Sequence, residues 1–212
     1  EGIEEIAKYL NSDNEVLRLE AELALIKLNE RNPLSVFENI ENKLTDWGQM
    51  NIQVKMGDQL DINTFKKLLK SNNESIVIFA IRIFGLKRQI DTFEEIAAFL
   101  LHRSEAVREA AINAIGLMDM PETIDLLVER FPKETTRNQL NIIDSLSNIP
   151  DESVIDFFGD VLFGNDEIIV KLLVSRELVK LGAKGQEKLK AVHAKANEEL
   201  RNLIDSNTNR QL

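Results

Sequence analysis

The candidate helix N-caps Asn73, Ser104, Thr135 and Asp166 each stand 31 residues after the last. The residues that follow them are Glu74, Glu105, Thr136 and Glu167. Eleven or twelve residues upstream of each cap, apolar positions keep the same step: Ile62, Phe93, Ile124 and Val154 recur at intervals of 31, 31 and 30. Chance could align caps or core positions, but not both together. A chain built this way is a stack of small units, each too small to bury its own apolar stripe and therefore packed on its neighbours.

The clearest unit is Asp91–Met118, which reads as two short helices and a tight turn. Phe93, Ile96, Ala97, Leu100 and Leu101 follow steps of three and four and share one helix face, with Glu94 and Glu95 opposite. His102-Arg103-Ser104 is the turn, with Ser104 as N-cap and Glu105 in the first turn that follows. Val107, Ala111, Ala114, Ile115 and Met118 form the buried face of the second helix, and the alanines let a neighbouring helix come close.

Leu17-Arg18 before Ala21, Ala24 and Leu25, and Val107-Arg108 before Ala111, Ala114 and Ile115, resemble the second helix of a HEAT repeat. The resemblance covers roughly residues 1–182 and is clearest over 1–28 and 91–118. It implies an all-α fold, a right-handed α-solenoid (α-α superhelix), and a surface that binds other macromolecules. The expected array is single and spans residues 1–205. It holds about six helix pairs, near 1–30, 33–58, 61–87, 91–118, 121–149 and 151–182, with a capping helix over 185–204 and a frayed tail over 206–212. In the capping helix Leu189, Val192, Ala196, Leu200 and Leu203 make a narrow apolar stripe, and Gly182 stops the helix before it.

The second pair departs from the pattern. Pro33 suits a first helical turn, and Leu34, Phe37, Ile40 and Leu44 give a stripe, but Asp46–Met56 carries Gly48 and few small apolar residues. Trp47, the only tryptophan, is expected to fill space where the repeat is irregular, the alternative being a binding anchor. The second helix of the third pair, Glu74–Leu86, is apolar nearly all round and is expected to be buried on several sides.

Composition narrows the function. A net charge of −10 and a pI of about 4.9 repel phosphate backbones on average and argue against nucleic acid as partner. Zero cysteines exclude disulfides and thiolate metal sites. No run approaches the length of a membrane span. The chain opens at Glu1 rather than Met, which reads as an excised piece or processed product; the segment itself is expected to be cytoplasmic, with any signal or anchor lying upstream. His102 and His193 have no metal-ligand partner at helical spacing, and no glycine-rich phosphate loop or nucleophile elbow is present. The expectation is therefore no enzyme, no cofactor and no metal.

In the family that the chain resembles, the second helices line the concave surface. Carrying position 113 along the repeat gives Arg82, Asn113, Asp144 and Arg176; position 109 gives Ile78, Glu109, Leu140 and Leu172. These eight residues form the candidate partner-binding face: a charged line beside an apolar one, suited to a protein or peptide partner. The competing reading packs Ile78, Leu140 and Leu172 between adjacent second helices. Arg18 and Arg108 are expected to bond acids and carbonyls in the turns. Alternative functions are a nucleic-acid-binding protein of the HEAT-like DNA-glycosylase type, for which Arg82, Arg137, Lys171 and Arg176 would be the basic lining, and a soluble spacer within a larger, membrane-anchored protein. Phycobilin-lyase-like repeats share the fold, but no chromophore site is marked. The oligomeric state and partner identity are open.

Overall fold

The computed structural model describes residues 2–29, 34, 36, 45–56, 62–164 and 167–208. Pro33, Phe37, Ile40, Leu44, Asn165 and Asp166, and the last four residues of the expected tail, lie outside the described residues. Among the described residues there are thirteen α-helices and no strand. The chain divides into two compact units, residues 1–87 and 88–212.

The first unit holds α1 (Gly2–Ala7), α2 (Glu15–Leu28), α3 (Asp46–Met56), α4 (Ile62–Leu68) and α5 (Glu74–Leu86). α1 tightens into a 3-10 turn over Lys8–Asn11 before Ser12 turns extended. Asn14 then caps α2 by accepting from the Val16 and Leu17 amides at 2.9 and 3.4 Å. Asn73 caps α5 in the same way, accepting from Ser75 at 2.9 Å. α5 buries Ile76, Val77, Phe79, Ala80, Ile81, Ile83 and Phe84, as its nearly unbroken apolar sequence requires. Phe65 of α4 meets the rings of Phe79 at 6.2 Å and Phe84 at 6.1 Å, the second edge-on. Trp47 does not fill space: it is 60% exposed on α3.

The second unit holds α6 (Phe93–Ala97), α7 (Glu105–Met118), α8 (Thr123–Arg130), α9 (Thr136–Ser147), α10 (Glu152–Gly164), α11 (Ile168–Lys180), α12 (Gly182–Lys195) and α13 (Glu198–Thr208). α6 and α8, like α1, end in 3-10 turns, at Ala98–Leu101 and Phe131–Lys133. The unit has two layers. The second helices α7, α9, α11 and α13 pack side by side, the first helices α8, α10 and α12 do likewise, and each first helix packs on its own second helix. This is the stacking that the repeat predicts.

Two boundaries differ from expectation. The closing element expected over 185–204 is two helices, α12 and α13, which makes a further pair. Ala196 is extended, and Asn197 caps the new helix by accepting from the Leu200 amide at 2.9 Å. The apolar spacing runs through this break without a change of phase, so periodicity hides it. α13 also continues to Thr208, beyond the start of the expected tail. The second shift concerns the cap ladder. The N-cap of α11 is Glu167, one residue later than the 31-residue step implies. Gly182 stands where it is expected, at φ +77°, the left-handed conformation that closes α11.

Candidate partner-binding face

The two arginines of the repeat turn inward to hold it. The Arg108 guanidinium of α7 donates to the carbonyls of His102 and Arg103, at 2.9 and 3.1 Å, and closes the turn before its own helix. Its Nε reaches both carboxylate oxygens of Glu134, at 2.8 and 3.0 Å, in the next pair. Arg130 and Asn138 donate to the same carboxylate at 2.6 and 2.9 Å. Burial alone would push the Glu134 pKa up; the bonds from Arg108, Asn138 and Arg130 outweigh it, and the net direction is down. Gln139 takes the arginine's position in α9 and bonds the Phe131 carbonyl at 3.1 Å. Ser104 sits at the N-cap position without a side-chain cap bond; the amide of Ser104 instead donates to His102 Nδ1 at 3.1 Å. His102 is thus a turn residue with a structural partner.

In the first pair Arg18 bonds the Ser12 carbonyl at 2.7 Å, while the buried acid comes from its own helix. Glu22 of α2 accepts from the Thr45 amide at 3.0 and 3.3 Å and from the Thr45 hydroxyl. Thr45 in turn accepts from the Gly48 amide at 3.1 Å, so Glu22 is docked on the N-terminus of α3. A Cβ on Gly48 would collide with that carboxylate, which gives this glycine its reason. Burial pushes the Glu22 pKa up, and the Thr45 bonds and the Arg18 charge offset only part of that.

Against this frame the outward line falls as follows. Val107, Ala111, Ala114 and Met118 of α7 are buried, and Asn113 is exposed. Asp144 on α9 and Arg176 on α11 are exposed at the same register, as is Arg82 on α5 within the first unit. The companion line is less open than expected. Ile78, Leu140 and Leu172 are half-buried rather than exposed. Glu109 is also half-buried, and Arg137 of α9 pairs with it at 3.0 Å. The reason lies in how closely α7 and α9 approach. A Cβ on Gly116 would stand 2.7 Å from Ser145, so the small residue lets the helices close over the line between them. The Leu172 carbonyl accepts from Asn207 of α13 at 2.9 Å, which closes the next interval.

Arg176 leans on Glu177, which is buried and also takes a bond from Lys180. The sequence reading passed over Glu22, Glu134 and Glu177. Glu22 and Glu177 stand at core registers of α2 and α11, and an acid at a core register is the signal that could have found them; Glu134, in the turn before α9, carries no such signal. His193 lies 3.1 Å from Asp205 and joins α12 to α13. No helix among the described residues is long and apolar enough to cross a membrane.

No curated protein matches the chain significantly. Residues 62–140 match the family described as HEAT repeats, a span that contains the unit at 91–118 and leaves 1–28 outside it. The matched span carries the helix pairs α4–α5, α6–α7 and most of α8–α9, with the turn-closing Arg108 inside it, and over those residues the chain is similar to HEAT repeats.

Proposed function

We propose that the chain is a non-enzymatic scaffold that takes a protein or peptide partner along the second-helix face. The observation that carries this reading is the recurrence of an exposed polar residue at one register, Asn113, Asp144 and Arg176 on α7, α9 and α11. Repeats of this kind offer extended surfaces whose outward positions are free of any folding role. Glu109, Leu140 and Leu172, half-buried beside that line, would form its shoulder; Ile78 and Arg82 hold the equivalent register on α5 in the first unit. A protein partner fits better than a phosphate backbone, because two of the four basic residues of this face are already answered, Arg137 by Glu109 and Arg176 by Glu177. The pairs leave a line of alternating sign, which a peptide with both charges can read.

The test is capture from lysate by wild type beside the Asp144→Lys/Arg176→Glu variant, with circular dichroism showing that both are folded. The reading expects a partner held by the wild type and lost, by about tenfold or more, from the variant. Equal capture by both would move the site away from this line. A gel shift on duplex DNA at low salt, abolished by moderate salt, would favour the nucleic-acid reading instead.

A further inference from the structure

α3 is the one second helix whose outward register is apolar throughout. Thr45 caps it by accepting from the Gly48 amide. Counted from that cap, Met50 and Val54 hold the registers of Leu140 and Asp144 counted from Thr135, and of Ile78 and Arg82 counted from Asn73. The later helices place a polar residue at the second of these registers; α3 places Val54, 72% exposed. Trp47 and Met50 are 60% and 48% exposed, and steps of three and four join them to Val54 in one stripe. The opposite side of α3 is already used: Gly48, Gln49 and Ile52 are buried, with Gly48 against Glu22 of α2. α3 is therefore apolar on two sides, a pattern that belongs to a helix covered on both. α2 packs on α3 and continues the apolar surface, with Val16 exposed and Leu19 and Leu23 half-buried at the same registers.

The charges of α3 say what covers the stripe. It carries two charged residues, Asp46 in its first turn and Lys55 in its last, both exposed. A second α3 laid antiparallel brings each Asp46 to the level of the other's Lys55 and opposes the two helix dipoles head to tail. A parallel arrangement would bring like charges together at both ends. Antiparallel pairing centred beside Met50 also sets each Trp47 against the other copy's Val54, and Met50 against Met50. The stripe is thus its own complement, as a two-fold interface requires.

We infer that the outward face of α3 is a self-association site, at which two copies of the chain pair through Trp47, Met50 and Val54 across a two-fold axis. It extends the second-helix face into the first unit but does not rest on the partner proposed above, because it forms from the chain alone. Eleven residues of helix span only about 16 Å. The contact therefore falls below the roughly 1,200 Å² of a standard interface, and the dimer is weak and concentration-dependent rather than obligate. Trp47 is its anchor.

The test uses the purified chain with no partner present. Sedimentation equilibrium up to about 1 mM should show a monomer–dimer equilibrium, and Trp47 emission should shift to the blue as the dimer forms. Met50→Lys/Val54→Lys, with circular dichroism unchanged because both positions are exposed, should weaken dimerisation by about tenfold or more. The chain has no cysteine, so single cysteines report the geometry. Met50→Cys should oxidise to a disulfide dimer, and Asp125→Cys on α8 should not. Trp47→Cys and Val54→Cys should each stay monomeric alone and cross-link when mixed, because like positions stand about 10 Å apart along the axis, beyond disulfide reach. A monomer at every concentration, dimerisation indifferent to Met50→Lys/Val54→Lys, or a cross-link from Trp47→Cys alone would overturn the proposal. So would a blue Trp47 emission that does not change with concentration, which would mean that the chain covers the stripe itself.

Discussion

Glu22 and Glu134 are both buried carboxylates, and their surroundings drive them in opposite directions. Glu134 holds a lowered pKa because Arg108, Asn138 and Arg130 converge on it. The folded state therefore binds a proton less readily than the unfolded chain there. Its contribution is present above the unfolded value of about 4.3 and is lost as pH falls through the lower folded value. Glu134→Gln should lower stability at neutral pH by about 3 kcal/mol, by leaving two guanidinium groups without a counter-charge; the urea midpoint reads this. Glu22 behaves in reverse. Its raised pKa means that the folded state takes up a proton first, so stability falls as pH rises from about 4.3 through the raised value. Glu22→Gln should abolish that loss. Trp47 is the only tryptophan and lies on α3, so its fluorescence follows the first unit during urea titrations at several pH values. An unchanged pH profile in Glu22→Gln would sink this reading of the site. Gly48→Ala should cost about 1–3 kcal/mol through collision with the Glu22 carboxylate, whereas Gly164→Ala, which meets open space, should cost little.

At the scale of elements, the second helices were the most legible part of the sequence. Glu74–Leu86 and Glu105–Met118 fall where their caps and apolar steps place them. Caps and periodicity are local, and local signals survive in a single sequence. What was not legible depends on partners far along the chain. The break at Ala196–Asn197 keeps the apolar phase, and only the cap residue Asn197 marks it. Gly48 looked like a weak point and is instead the seat of a buried acid from another helix. Leu140 and Leu172 are half-buried because of helix spacing, α7 closing on α9 at Gly116 and Ser145 and α13 reaching the Leu172 carbonyl through Asn207, and that spacing is not written in either helix alone. Gly116→Leu should therefore drive α7 from α9 and cost about 1–3 kcal/mol or more. α3 buries little apolar surface, with Trp47, Met50 and Val54 exposed along it. Its amides should exchange faster than those of α7 in native-state hydrogen exchange, and equal protection of the two helices would contradict that.

At the scale of the molecule, the fold is a sequence of pairs that differ in what they leave exposed. Interior registers are committed to neighbours through Arg108–Glu134, Arg137–Glu109 and Asn207 on Leu172. The outward register of Asn113, Asp144 and Arg176 is exposed, with Arg176 bonded within its own helix to Glu177, and that exposure is the ground of the proposed partner line. Exposed first-helix residues such as Glu94 and Asp125 provide the comparison, being equally open and on the other layer. The most direct measurement places a photo-crosslinking amino acid singly at Asn113, Asp144, Arg176, Glu94 and Asp125 in the whole chain and irradiates it in lysate of the organism that encodes it. The account predicts one common protein adduct from the three second-helix positions and none of it from Glu94 or Asp125. An adduct formed from Glu94 or Asp125 alone, or no adduct from any of the three second-helix positions, would contradict it.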